Sequence, residues 1–131
     1  MVRVLIADDD EYVRILMRRV IKSLHYESVG EAADGLAALE MYRKTKPDIL
    51  LLDIDMPKKN GIEILRTIKE EDRNTSVIML TSHAETERVQ TCIELGAESY
   101  LRKDTPMAKI KSTIEATVIN SVQKKLKDEK H

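Results

Sequence analysis

The sequence has no tryptophan, no phenylalanine and only four tyrosines, an aromatic content of 3%. A core made from it has to rest on Leu, Ile, Val, Met and Ala. The single cysteine, Cys92, excludes an internal disulfide. A lone thiol with no metal-ligand partners nearby in sequence fits a reducing compartment, and the cytoplasm is the expected location. A net charge of −1 excludes a general field that would draw the chain to nucleic acid or an anionic membrane. Any charge-driven function is therefore local, at a site. No apolar run approaches the roughly 18 residues needed to span a bilayer. The first residues run straight into a strand pattern and show no export signal. Repeats and low-complexity segments are also missing.

What is present is a chain of 131 residues, 42% hydrophobic and 34% charged, enough for one soluble domain and too little for two. The domain is expected over residues 1–122, with 123–131 as a charged tail, a linker or a frayed helix end. Val4 to Ala7, Ile49 to Leu52 and Val77 to Leu80 are continuous apolar runs, the pattern of strands buried on both faces of a parallel sheet. Ser28 to Ala33, before the turn signal at Asp34 and Gly35, and Ser99 to Arg102, after Gly96, read as two shorter strands.

Between the strands the apolar period becomes helical. Val13, Leu16, Val20 and Leu24 share one face, as do Leu36, Leu39 and Tyr42, and then Ile64, Leu65 and Ile68. Val89, Cys92 and Ile93 mark a fourth helix, and Ile110, Ile114, Val118 and Val122 a fifth opened by Thr105 and Pro106. Strict alternation of five strands and five helices predicts a doubly wound α/β fold with a five-stranded parallel sheet. Ligands in such folds sit at the carboxyl ends of the strands.

Those ends carry the polar residues. Asp8, Asp9 and Asp10 follow the first strand, Asp53 and Asp55 the third, Thr81 the fourth and Lys103 the fifth. Asp10, directly before a helix, reads as its N-cap. The remaining carboxylates repel one another unless a cation neutralises them or some take up protons. Hard oxygen ligands select Mg²⁺ or a similar ion, and an acid cluster beside a lysine and a hydroxyl suits a phosphoryl group. A carboxylate can attack phosphorus to give an acyl phosphate, while cations and a hydroxyl stabilise the phosphoryl oxygens.

Taken in order, Ile-Ala-Asp8-Asp9, Leu-Leu-Leu-Asp53-Ile-Asp55-Met-Pro57 with Asn60-Gly61, Thr81-Ser82, and Tyr100-Leu-Arg-Lys103 resemble the receiver domain of bacterial response regulators, a family that includes the chemotaxis response regulator. The resemblance runs from Val2 to about Val122 and implies a flavodoxin-like fold. It implies Asp53 as phosphoacceptor, Asp9 as the main carboxylate ligand of Mg²⁺, Asp8 acting mostly through water and Asp55 supplying its backbone carbonyl. Thr81 would bond a phosphoryl oxygen, Lys103 would form an ion pair with it, and Tyr100 would swing inward as Thr81 moves. The surface of the fourth helix, fifth strand and fifth helix would then change its preference for partners.

The implied phosphodonor is a sensor histidine kinase or a phosphotransfer protein. The output would be a downstream protein target or a fused output domain, with a homodimer through the same surface as one arrangement. No direct nucleic-acid or membrane partner is expected, and the domain would be a regulatory phosphoacceptor, not an enzyme. The chain departs from the family pattern in Asp104, where proline usually follows the lysine, and in Ser82, where alanine is commoner. His83, two residues past Thr81, is either a screen against water at the phosphoryl group or an exposed loop residue. Two other functions compete: a degenerate receiver that binds without phosphorylation, and a phosphatase of the haloacid-dehalogenase type using Asp53 and Asp55.

Overall fold

The structure, a computed structural model, describes residues 1–82 and 86–129; His83 lies outside the described residues. Five strands alternate with five helices: β1 (Arg3–Ala7), α1 (Glu11–Ser23), β2 (Glu27–Ala32), α2 (Gly35–Thr45), β3 (Ile49–Asp53), α3 (Gly61–Glu71), β4 (Ser76–Thr81), α4 (Thr86–Glu94), β5 (Ser99–Arg102) and α5 (Met107–Glu129). All strand pairings are parallel, and the sheet order is β2-β1-β3-β4-β5. The expected doubly wound α/β fold is the one observed.

The three continuous apolar runs form the central strands, and their alternate residues feed two cores. Leu5, Leu50, Leu52, Val77 and Met79 point to the face covered by α2, α3 and α4. Val4, Ile6, Ile49, Leu51, Ile78 and Leu80 point to the other, against Val13, Met17, Val20 and Ile21 of α1 and Ile110 and Ile114 of α5. Each fully buried aliphatic side chain contributes roughly 1.5 to 3 kcal/mol of transfer free energy. Tyr42 is the one aromatic residue in the buried core of the described residues.

Helix starts follow local chemistry. Asp10 caps α1 through the Tyr12 amide at 2.9 Å, Asp34 caps α2 through Ala37 at 2.8 Å, and Asn60 caps α3 through Glu63 at 3.0 Å. The chain leaves α4 through Gly96 at φ +106°, a conformation that favours glycine.

Four expectations need correction. Strand β2 begins and ends one residue earlier than expected, because the Glu27 amide joins the Val2 carbonyl at 2.8 Å, and Val29 is the extra residue where the pairing with β1 shifts register. The carbonyl of Pro106 accepts from the Ile110 amide, so α5 starts at Met107 with Pro106, not Thr105, in the capping position. Leu36 and Ile93, placed on buried stripes, are 54% and 41% exposed. Val122 is 52% exposed because α5 projects past the sheet and continues to Glu129. No helix among the described residues is long and apolar enough to cross a membrane.

Candidate functional site

Register sets the site. Ala7 pairs with Leu52 and Asp53 with Leu80, so the next residue of β1, Asp8, lies beside Asp53 at the carboxyl edge. Thr81 pairs with Arg102, and the Lys103 amide donates to the Thr81 carbonyl at 2.8 Å, which carries the lysine over the same edge. Carboxylate oxygens of Asp8, Asp9 and Asp53 lie within 4.8 Å of one another. Asp8, Asp53 and Thr81 are buried, and Asp9 is exposed.

The buried acids are held unequally. Asp8 Oδ1 accepts from the Asp10 amide at 2.9 Å, and Arg14 donates to the Asp8 carbonyl at 2.9 Å. Lys103 Nζ stands 2.9 Å from Asp8 Oδ2, an ion contact not aligned as a hydrogen bond, and 3.1 Å from Asp53 Oδ1. Asp53 Oδ1 also accepts the Asp55 amide at 3.1 Å, whereas Asp53 Oδ2 has no hydrogen-bond partner among the described residues. Such an orphaned buried oxygen is costly unless a ligand or a proton completes it.

Burial, and then the charge of Asp8, push the Asp53 carboxyl up to about 7, against the opposing pull of Lys103 and the Asp55 amide. Burial works against the charge on Lys103, but Asp8 and Asp53 outweigh it and hold the ammonium above its ordinary value. One lysine thus faces two buried carboxylates, with an exposed third nearby. The donor set is all hard oxygen, and buried Asp8 Oδ2 accepts no hydrogen bond among the described residues, so the residues fit Mg²⁺.

Of the residues singled out in the sequence, Asp8, Asp9, Asp53, Thr81 and Lys103 meet at this edge. Asp55 directs its carboxylate away, to Arg88 of α4, at 2.6 Å. Tyr100, on β5, is 45% exposed. Asp104 forms a two-point pair with Arg102 at 3.1 and 3.0 Å, so the loop after Lys103 is braced by an ion pair where the family pattern has proline. Its peptide bonds are trans, and Lys103 reaches both acids. Sequence reading missed Arg14 and Arg88. Arg14, four residues past the helix-capping Asp10, was open to discovery by spacing, whereas nothing in the sequence ties Arg88 to Asp55.

Comparison with known proteins places the chain in a family. Residues 4–115 match the family model of the response regulator receiver domain. The chain is 38% identical to the chemotaxis protein CheY of Halobacterium salinarum, over 77% of this chain and 83% of that one. It is 37% identical to the sporulation initiation phosphotransferase F of Bacillus subtilis, over 86% and 90%. Among solved structures, a CheX-CheY-BeF3-Mg²⁺ complex from Borrelia burgdorferi superposes with a TM-score of 0.86 at 31% identity, covering 89% of each chain. The chain belongs to the response regulator receiver domain family.

Proposed function

We propose that the domain is a phosphorylation-dependent signalling switch that accepts a phosphoryl group on Asp53. The observation that carries this reading is the asymmetry of that carboxylate: Oδ1 is engaged by Lys103 and the Asp55 amide, and buried Oδ2 has no hydrogen-bond partner among the described residues. Oδ2 attacks phosphorus, an O–P bond forms, and the P–N bond of a phosphohistidine donor breaks with the electron pair leaving on the imidazole. The donor is a sensor histidine kinase or a phosphotransfer protein, a reading supported by the similarity to a sporulation phosphotransferase.

Asp8, Asp9, Asp53 and the Asp55 backbone carbonyl would hold Mg²⁺, which when bound neutralises the phosphoryl oxygens and lowers the cost of bringing an anion to a carboxylate. Lys103 supplies a second positive charge to those oxygens, and Thr81 a hydroxyl. Movement of Thr81 toward the phosphoryl group makes room for Tyr100, and the surface of α4, β5 and α5 changes its preference for a protein partner. The phosphoryl group is later lost to water, so gain and loss both belong to this site.

A non-covalent test uses beryllofluoride as the phosphoryl mimic. Amide resonances around Asp53, Thr81 and Lys103 are expected to shift on adding beryllofluoride with Mg²⁺, beyond the change that Mg²⁺ alone brings at its ligands, and not with beryllofluoride alone. Asp53→Asn is expected to abolish the response. Equal shifts in that variant would place the binding elsewhere and contradict the proposal.

A further inference from the structure

Helix α4 is weakly anchored compared with the helices before it. Helices α1, α2 and α3 each bury four residues. Within α4, Cys92 is the one fully buried side chain among those described, with Arg88, Val89 and Thr91 half-buried and Glu87, Gln90, Ile93 and Glu94 exposed. An element with so little buried apolar surface opens at low cost, so its position depends on whatever polar contacts hold it.

One such contact leads straight to the reacting carboxylate. Arg88, the third residue of α4, grips Asp55 with both nitrogens, Nη2 to Oδ1 at 2.6 Å and Nη1 to Oδ2 at 3.2 Å. Asp55 in turn donates its amide to Asp53 Oδ1 at 3.1 Å. A continuous polar chain therefore runs from Asp53 through both ends of residue 55 to the first turns of α4. The two-point geometry matters, because a guanidinium fork fixes orientation as well as distance, which a lysine ammonium does not.

We infer that Arg88 is a positioning residue: its fork onto Asp55 docks the N-terminal half of α4 on the loop that follows Asp53, so that charge arriving at Asp53 is felt by the helix. The docking itself needs no phosphoryl group; the second half of the inference rests on the function proposed above. A new anion beside residue 55 competes for the guanidinium, and a bound cation competes for the carboxylate, so either event shifts the population of docked α4.

Hydrogen exchange of the α4 amides, in unmodified protein without Mg²⁺, tests the tether. Arg88→Ala and Asp55→Asn are each expected to speed exchange about threefold, as befits a partly exposed pair. The double variant is expected to be no faster than either single one, and Arg88→Lys to fall between wild type and Arg88→Ala. Unchanged exchange in a single variant, or effects that multiply in the double, would overturn the inference. Phosphoryl adduct formation measured on the same proteins separates the two claims. An adduct with unaltered α4 exchange removes the tether alone, whereas faster exchange without any adduct removes the switch and leaves the tether standing.

Discussion

Asp53 is a carboxylate kept where water cannot solvate it, and that has a measurable cost. Its pKa, raised to about 7 by burial and by Asp8, means that the folded, metal-free protein holds a proton there which the unfolded chain has already released above about pH 4. Stability is therefore lost as pH rises through the window from about 4 to about 7. Glu31, Asp34 and Glu71 do not mask this effect. Arg18, the Ala37 amide and Arg43 respectively hold them below their ordinary values, so the stability they contribute is already present above those ordinary values and does not change over the range compared below. Urea unfolding without Mg²⁺ is expected to give a free energy about 1 to 2 kcal/mol lower near pH 7.5 than near pH 5.5. Asp53→Asn is expected to flatten that slope and to be the more stable protein at the higher pH, and an unchanged slope would contradict the assignment. At this scale the sequence was readable where a charged residue ends an apolar run, as Asp8 and Asp53 do, and Lys103 was found by its place after the shorter fifth strand. Arg88 does not, since its partner lies 33 residues away and belongs to a different element.

The loop between β3 and α3 ties the nucleophile to its surroundings, and Gly61, where α3 begins, is a point of close backbone approach. The Gly61 amide donates to the Ile54 carbonyl at 2.8 Å, and a Cβ at this position would overlap the Asp53 backbone carbonyl. A backbone cannot yield as a flexible side chain does. Gly61→Ala is therefore expected to destabilise the domain by about 2 kcal/mol or more in chemical denaturation and to displace the Asp53 backbone. A loss below about 0.5 kcal/mol would show that the loop has slack. Element boundaries were less legible than element identities. Apolar spacing located every helix, but it assigned Ile93 and Val122 to buried faces, because spacing records a stripe and not whether the sheet extends far enough to cover it. Met17 and Ile21, both buried, were passed over in α1 because the apolar face is broader than the stripe drawn through Val13, Leu16, Val20 and Leu24. The Arg102–Asp104 pair shows a loop reaching a working geometry by a different local device.

At the scale of the molecule, sheet order converts sequence-distant residues into one site. Because β1 and β3 are neighbours at the centre, the acids that follow them are adjacent, and because β4 and β5 succeed them, Thr81 and Lys103 arrive in turn. The parallel alternation read from the sequence was enough to place these groups at one edge. It did not show which oxygen of Asp53 is free, a matter of register and loop amides. The covalent step itself is the central claim, and intact mass after incubation with acetyl phosphate and Mg²⁺ tests it most directly. A single phosphoryl adduct that requires Mg²⁺, survives acid, is lost in base and disappears in Asp53→Asn is the expected result. An adduct of equal yield in that variant, or none in the wild type, would contradict the account.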